Sequence, residues 1–352
     1  MELKDFLQTA VADGASDLFV VAGGPVSEKR DGRIQPLTEC RVLPDVTEQL
    51  IREIYLLAKR DIGRFLETGD DDFSFALPGL ARFRVNTYRQ RGSMAAVIRV
   101  VSFDIPDYHT LGIPDSVMDM AAETHGLLII SGTAGSGKST TQACLIDRIN
   151  CTREAHIITL EDPIEFLHRD QKSIVSQREV TIDTVDYLSA LRASLRQAPD
   201  VILLGEMRDH ETIRTAMTAA ETGHLVIATL HTNGAVNTVD RIIDAFPSQQ
   251  QAQVRVQLSM VLRAVVSQRL LPGSSGGLAP AFELMRNNSA VRSMIRDSKT
   301  YQIDNELRTA GGEGMYAMDQ SILNLFRAGK ITRETALDYA DNAEQMKRRL
   351  DA

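Results

Sequence analysis

A chain of 352 residues is long enough for about two domains, each with a core of its own. Hydrophobic residues make up 43% and charged residues 24%, the balance of a folded globular protein, which excludes wholesale disorder. The net charge of -8 excludes a general basic field for holding nucleic acid, and seven Tyr, eleven Phe and no Trp leave few platforms on which single-stranded bases stack.

Leu3, Phe6, Leu7, Ala10 and Val11 recur at helical spacing, and Gly14 stops that helix before the apolar run Leu18 to Ala22, which reads as a strand. Asp31-Gly32, between Val26 to Arg30 and Arg33 to Pro36, is a hairpin signal. Leu50, Ile51, Ile54 and Leu57 return to helical periodicity. Asp72 to Leu77, Ala81 to Tyr88 and Ser93 to Val101 read as further strands, so residues 1–101 are expected to form an α+β domain. Residues 102–117, with Pro106 and Pro114 and few periodic apolar positions, read as a linker.

From His125 the pattern changes. Gly126 to Ile130, His156 to Leu160, Val201 to Leu204 and His224 to Leu230 are short, almost wholly apolar runs alternating with helical segments, as a parallel sheet covered on both faces requires. An α/β domain is therefore expected over 118–285, its last strand following the glycine-rich turn Pro272 to Gly277, with a helical subdomain over 286–352. No apolar run approaches the ~18 residues of a membrane span. Glu2 and Asp5 stand where a signal peptide would be basic, so a cytosolic location is expected. Cys40, Cys144 and Cys151 form no C-x-x-C pair, which argues against a disulfide framework and a tetracysteine zinc site.

Gly132-Thr133-Ala134-Gly135-Ser136-Gly137-Lys138-Ser139 matches G-x-x-x-x-G-K-[ST], after a strand and before the helix-like segment that starts at Thr140. In that setting backbone N–H groups turn inward around phosphate oxygens, Lys138 neutralises the β and γ phosphates of ATP, and the Ser139 hydroxyl ligates Mg²⁺. Asp200, Val201 to Leu204 and Gly205-Glu206-Met207-Arg208-Asp209 read as a second core strand whose trailing carboxylate, Glu206, holds Mg²⁺ through water. Thr159-Leu160-Glu161-Asp162-Pro163-Ile164-Glu165-Phe166 puts three carboxylates within five residues, a concentration of like charge that calls for a nearby cation.

These three segments, followed by Thr222-Gly223-His224-Leu225 to Leu230-His231-Thr232-Asn233, resemble the Walker A, Asp box, Walker B and His box of the secretion ATPases, and within them the pilus retraction branch of PilT- and PilU-like proteins. Ser16-Asp17-Leu18, Ala81-Arg82-Phe83-Arg84-Val85-Asn86, Leu195-Arg196-Gln197-Ala198-Pro199-Asp200 and Ala290-Val291-Arg292-Ser293-Met294-Ile295-Arg296 extend the likeness over nearly the whole chain. Phe19, where PilT-like proteins commonly carry histidine, is closer to the PilU-like pattern.

The resemblance implies a PAS-like N-terminal domain, a RecA-like ATPase domain and a hexameric ring with nucleotide between subunits. It makes Glu165 the catalytic carboxylate, with Glu206 the second choice, and lets Glu161 and Asp162 shape the site. It makes His231 a sensor of the γ-phosphate or the neighbouring subunit, places His224 at the strand entrance and counts it with the nucleotide-binding residues, and has Arg84 and Arg99 reach phosphate. It implies ATP and Mg²⁺, a homohexamer at the inner face of the cytoplasmic membrane, an inner-membrane pilus platform protein and a paralogous ATPase as partners, and no nucleic acid. Retraction of type IV pili is the function expected. Pilus assembly and type II secretion motors usually add a domain and a tetracysteine insert that this sequence lacks; a nucleotide-binding accessory subunit is the other alternative.

Overall fold

The computed structural model describes residues 2–30, 32–101, 105–309 and 314–351. They fall into two compact units, one within Met1–Asp104 plus Glu165–Leu167, the other within Ile105–Ile164 plus His168–Ala352.

The first unit runs α1 (Leu3–Ala12), β1 (Asp17–Val20), β2 (Ser27–Arg30), β3 (Arg33–Pro36), α2 (Pro44–Leu57), α3 (Gly63–Thr68), β4 (Asp70–Leu77), β5 (Ala81–Gln90) and β6 (Ser93–Val101). Its strands form one antiparallel sheet in the order β3-β2-β1-β6-β5-β4. Leu3, Phe6 and Leu7 of α1 and Leu50, Ile51 and Ile54 of α2 bury against inward residues such as Leu18, Phe83, Val85 and Ile98. Alternation on β5 sends Phe83 and Val85 to the core and Arg82 and Arg84 to the other face. Asp31 of the expected hairpin turn lies outside the described residues; Arg30 and Arg33 on either side are register partners.

The second unit begins with α4 (Asp115–Met118) and continues β7 (Gly126–Ser131), α5 (Lys138–Thr152), β8 (His156–Glu161), β9 (Ile174–Glu179), α6 (Tyr187–Ser194), β10 (Val201–Leu204), α7 (His210–Glu221), β11 (Leu225–Leu230), α8 (Ala235–Asp244), α9 (Ser248–Val261), β12 (Leu262–Pro272) and β13 (Leu278–Arg286). The seven strands lie in the order β13-β12-β7-β11-β10-β8-β9, parallel from β12 to β9, with β13 antiparallel at the edge. All six residues of β7 and of β11 are buried. Each buried Leu or Ile contributes about 1.5–3 kcal/mol, so the depth of these strands, and the point where each loop leaves the sheet, is strongly fixed.

Two features differ from expectation. Residues 102–104 of the expected linker lie outside the described residues, while Ile113 and Val117 are buried in a core with Leu128, Ile130 and Phe282, and Ile105, Tyr108 and Leu111 pack against it. The prolines break helical periodicity there without removing apolar anchors. β9 and β12 are strands that the sequence pattern does not separate from their surroundings; β12 follows α9 with no turn residue between Val261 and Leu262.

The chain closes with α10 (Ser289–Arg296), α11 (Ile303–Thr309), α12 (Met318–Arg327), α13 (Arg333–Tyr339) and α14 (Ala343–Asp351). α10 and α11 contribute Val291, Ile295, Ile303 and Leu307 to the main core. The last three helices build a smaller core with Leu271, Ala279 and Ala281 of the β12–β13 hairpin. No helix among the described residues is long and apolar enough to cross a membrane.

Candidate functional site

Parallel strands all deliver their following loops to the same edge of a sheet. In the spatial order β8, β10, β11, β7, that edge receives Glu161 and Asp162, then Gly205 and Glu206, then His231, then the glycine-rich loop. Motifs as much as 99 positions apart, Gly132 and His231, thus become neighbours: Gly132 N–H donates to the Leu230 carbonyl at 3.3 Å, and Met207 N–H to the Thr229 carbonyl at 3.1 Å.

The loop is shaped for an anion. Gly137 adopts φ +87° immediately before α5, a conformation that glycine enters without strain. No side chain caps α5, so its leading N–H groups stay open towards the loop mouth, joined there by the positive end of a fifteen-residue helix. Lys138 is buried, and its Nζ donates to the carbonyls of Gly132 at 2.9 Å and Thr133 at 2.8 Å, which holds the ammonium inside the loop. The Ser136 Oγ is buried without a hydrogen-bond partner among the described residues. Ser139 and Thr140 are half-buried in the first turn.

The acidic side is equally ordered. Thr159 Oγ1 donates to Glu161 Oε1 at 2.6 Å and Gln177 Nε2 donates to the same oxygen at 3.2 Å, turning this carboxylate towards β9. Asp162 is exposed. Glu206 accepts from Arg208 Nε at 2.7 Å and lies 3.5 Å from His231 Nε2, so the Walker B carboxylate and the His box histidine meet. The bond to Glu206 raises the Arg208 pKa further above its ordinary value.

Glu165 is exposed and groups with the N-terminal unit. In that unit Arg84 and Arg99 are direct cross-strand partners on β5 and β6, which puts two guanidinium groups on one face of the sheet. Arg84 pairs with Asp72 at 3.2 Å and Arg99 with Asp17 at 3.0 Å.

His224 requires a correction as a nucleotide ligand within this chain. It precedes β11, and its carbonyl accepts from Gly126 N–H at the start of β7, so it stands at the opposite end of strands whose far ends carry His231 and the phosphate loop. Six residues at about 3.3 Å each separate the two edges by some 20 Å. Its Nδ1 lies 3.0 Å from the Ala219 carbonyl and 3.2 Å from Thr222 Oγ1, closing the turn out of α7.

The structure adds residues that the motifs do not contain. Gln268 of β12 is buried against the phosphate loop: its Oε1 accepts from Thr141 Oγ1 at 2.7 Å, its Nε2 lies 2.8 Å from where a Cβ on Gly137 would sit, and its carbonyl 2.4 Å from one on Gly132. The preceding Ser267 Oγ accepts Gly234 N–H at 2.9 Å. Its partner across the hairpin, Glu283, accepts Ala235 N–H at 2.7 Å and Met318 N–H at 3.2 Å. Burial pushes the Glu283 carboxyl pKa up against the opposing pull of those two donors. β12 and β13 therefore brace the phosphate loop and the His box loop together. Glu283 had a signal in the sequence, a lone polar position among the apolar residues of β13, the pattern that marks a buried hydrogen-bonding role, whereas Gln268 sits in the polar run Ser267-Gln268-Arg269 and had none.

Comparison with known proteins agrees with this architecture. The family model described as Type II/IV secretion system protein matches residues 2–314. A Pseudomonas aeruginosa protein described as type IV pilus retractation ATPase PilT is 42% identical over 341 residues, covering 97% of this chain and 98% of its own length. The same organism's type IV pilus ATPase PilU is 37% identical over 348 residues, covering 99% of this chain and 91% of its own length. The crystal structure of the pilus retraction motor PilT with bound ADP superposes with a TM-score of 0.90 at 43% identity, covering 99% of both chains.

Proposed function

The chain belongs to the type II/IV secretion system protein family, on its pilus retraction branch, and from that premise we propose that it is a hexameric MgATPase motor that powers retraction of type IV pili and hence twitching motility. The observation that carries the reading is the single sheet edge at which the phosphate loop, Glu206, His231 and the Asp box meet. In the proposed setting the hexamer works at the cytoplasmic face of the inner membrane on a pilus platform protein, with a paralogous ATPase as a further partner.

The donor set fits a magnesium nucleotide. Uncapped N–H groups, a buried lysine and an unpartnered Ser136 hydroxyl suit phosphate oxygens, and a hydroxyl at Ser139 with a carboxylate at Glu206 suits a hard cation that keeps several waters. Bound Mg²⁺ would neutralise charge on the β and γ phosphates. Residues 132–140 hold the phosphates, and Lys138 supplies a mobile cation to the leaving charge. Glu165 takes the proton of the attacking water, while Asp162 and Glu161 shape the space around it. Glu206 would hold the cation's waters through its carboxylate, and His231, in contact with Glu206, is placed to respond to the γ-phosphate.

Arg84 and Arg99 are proposed as phosphate contacts. Each guanidinium has a carboxylate partner, Asp72 or Asp17, and the two forks lie side by side across the strands, so their remaining N–H groups suit an anion with two or more oxygens. Replacing either with Ala should lower kcat by about 10³-fold, the lower end for an arginine finger; Arg84→Ala should cost little stability, since its exposed pair with Asp72 contributes about 0–1 kcal/mol, while Arg99→Ala leaves the buried Asp17 carboxylate with Ser16 alone and should cost more. Wild-type turnover in both variants would remove the assignment, and loss of the hexamer would move these residues to assembly.

Turnover tests the proposal at its base. The purified full chain, under conditions that form hexamers, should release phosphate from MgATP continuously. Binding of ATP without release would instead describe a nucleotide-binding accessory subunit.

A further inference from the structure

Tyr187 opens α6, whose first turn is capped by Asp186 accepting from Ser189 N–H at 2.7 Å. Its ring packs against the main core of the second unit. Its hydroxyl reaches over Gly205: a Cβ on that glycine would lie 2.7 Å from the hydroxyl, 3.2 Å from the Leu160 carbonyl and 3.5 Å from the Glu161 Cα. The oxygen is thus lodged between the C-terminal ends of β8 and β10, where the Asp box and Glu206 begin. Among the described residues no hydrogen bond engages it.

The charged groups acting on this hydroxyl are Asp162 most strongly, then Arg208, Glu206 and Glu161. Burial, followed by the Asp162 carboxylate, holds its pKa well above the ordinary tyrosine value, so it remains a neutral O–H donor throughout the physiological range. A neutral donor suits this place. A lysine would cancel the negative charge that draws in a divalent cation, whereas a phenol lends a hydrogen bond and leaves the charge intact.

We infer that Tyr187 is a positioning residue for hydrolysis, its hydroxyl donating a hydrogen bond to the water held between Asp162 and Glu206 on the magnesium side of the site. The inference rests on the reading of Glu206 as the carboxylate that orients the metal's waters. It also accounts for Gly205, because any side chain there would displace the hydroxyl from the gap between the two strands.

The test is Tyr187→Phe in the full chain, which removes one oxygen and keeps the ring, beside Tyr187→Leu, which removes the ring as well. ATP affinity is measured by calorimetry with and without Mg²⁺, together with kcat and Tm. Tyr187→Phe should keep its Tm and its metal-free ATP affinity, lose about tenfold of the Mg²⁺-dependent gain in affinity, and turn over about tenfold more slowly, the scale of one hydrogen bond in a charged site. Tyr187→Leu should lower Tm in addition. The assignment is overturned if Tyr187→Phe stays within twofold of wild type in both Mg²⁺-dependent affinity and kcat, or if it loses affinity equally with and without Mg²⁺. Wild-type protein whose ATP binding ignores Mg²⁺ would overturn the reading of Glu206 itself, an outcome visible before any variant is compared.

Discussion

Lys138→Ala is expected to abolish turnover and to weaken nucleotide binding by at least ~10²-fold, since a buried charge-assisted contact to phosphate is lost from a loop that offers no other mobile cation. The ammonium is held by the carbonyls of Gly132 and Thr133. Its removal takes away both the positive charge and the tie that closes the loop. The rest of the loop's frame persists in the variant: Gln268 still accepts from Thr141 and still presses on Gly132 and Gly137. An intact fold with lost binding is therefore the predicted outcome, measured by titration of a fluorescent ATP analogue alongside circular dichroism. Unchanged affinity would remove the phosphate-loop assignment and with it the site.

The second large effect separates two carboxylates by substitution with the amide. Glu165→Gln preserves size and hydrogen bonding and removes the base, so this variant should bind MgATP nearly as wild type, keep its hexamer, and hydrolyse at least ~10²-fold more slowly. Glu206→Gln acts elsewhere. Glu206 is gripped by Arg208 and touches His231, and losing its charge should lower Mg²⁺-dependent ATP affinity by about 10- to 100-fold, with metal-free affinity little changed. ATP affinity with and without Mg²⁺, combined with single-turnover hydrolysis, reads both. Normal turnover in Glu165→Gln, with Glu206→Gln binding MgATP normally and failing to hydrolyse it, would make Glu206 the base.

The parts of the site legible in the sequence are those whose chemistry demands contiguous residues. A phosphate loop must place three glycines, Lys138 and Ser139 in one short span, and a parallel-sheet strand such as β7 or β11 must be apolar throughout because helices cover both faces. What escaped is set by contacts between distant segments. Gln268 braces the phosphate loop from a strand 127 residues after Thr141, and β12 passes into view only once its pairing with β7 and β13 is known. Tyr187 reads as an ordinary helix residue until the path of β10 brings Gly205 beneath it. His224 and His231 share a motif, yet a strand six residues long carries them to opposite edges of the sheet. Ile113 and Val117 show the converse case: too few apolar positions surround them to reveal a period, yet both are buried, so the stretch containing Pro106 and Pro114 contributes to a core.

If hydrolysis at this sheet edge drives pilus retraction, live imaging of labelled pili in a host lacking the gene shows it most directly. The deletion strain should be hyperpiliated with retraction events abolished; expression of the wild-type chain should restore retraction, and expression of Lys138→Ala should not. Loss of pili in the deletion strain, or retraction restored by Lys138→Ala, would contradict it.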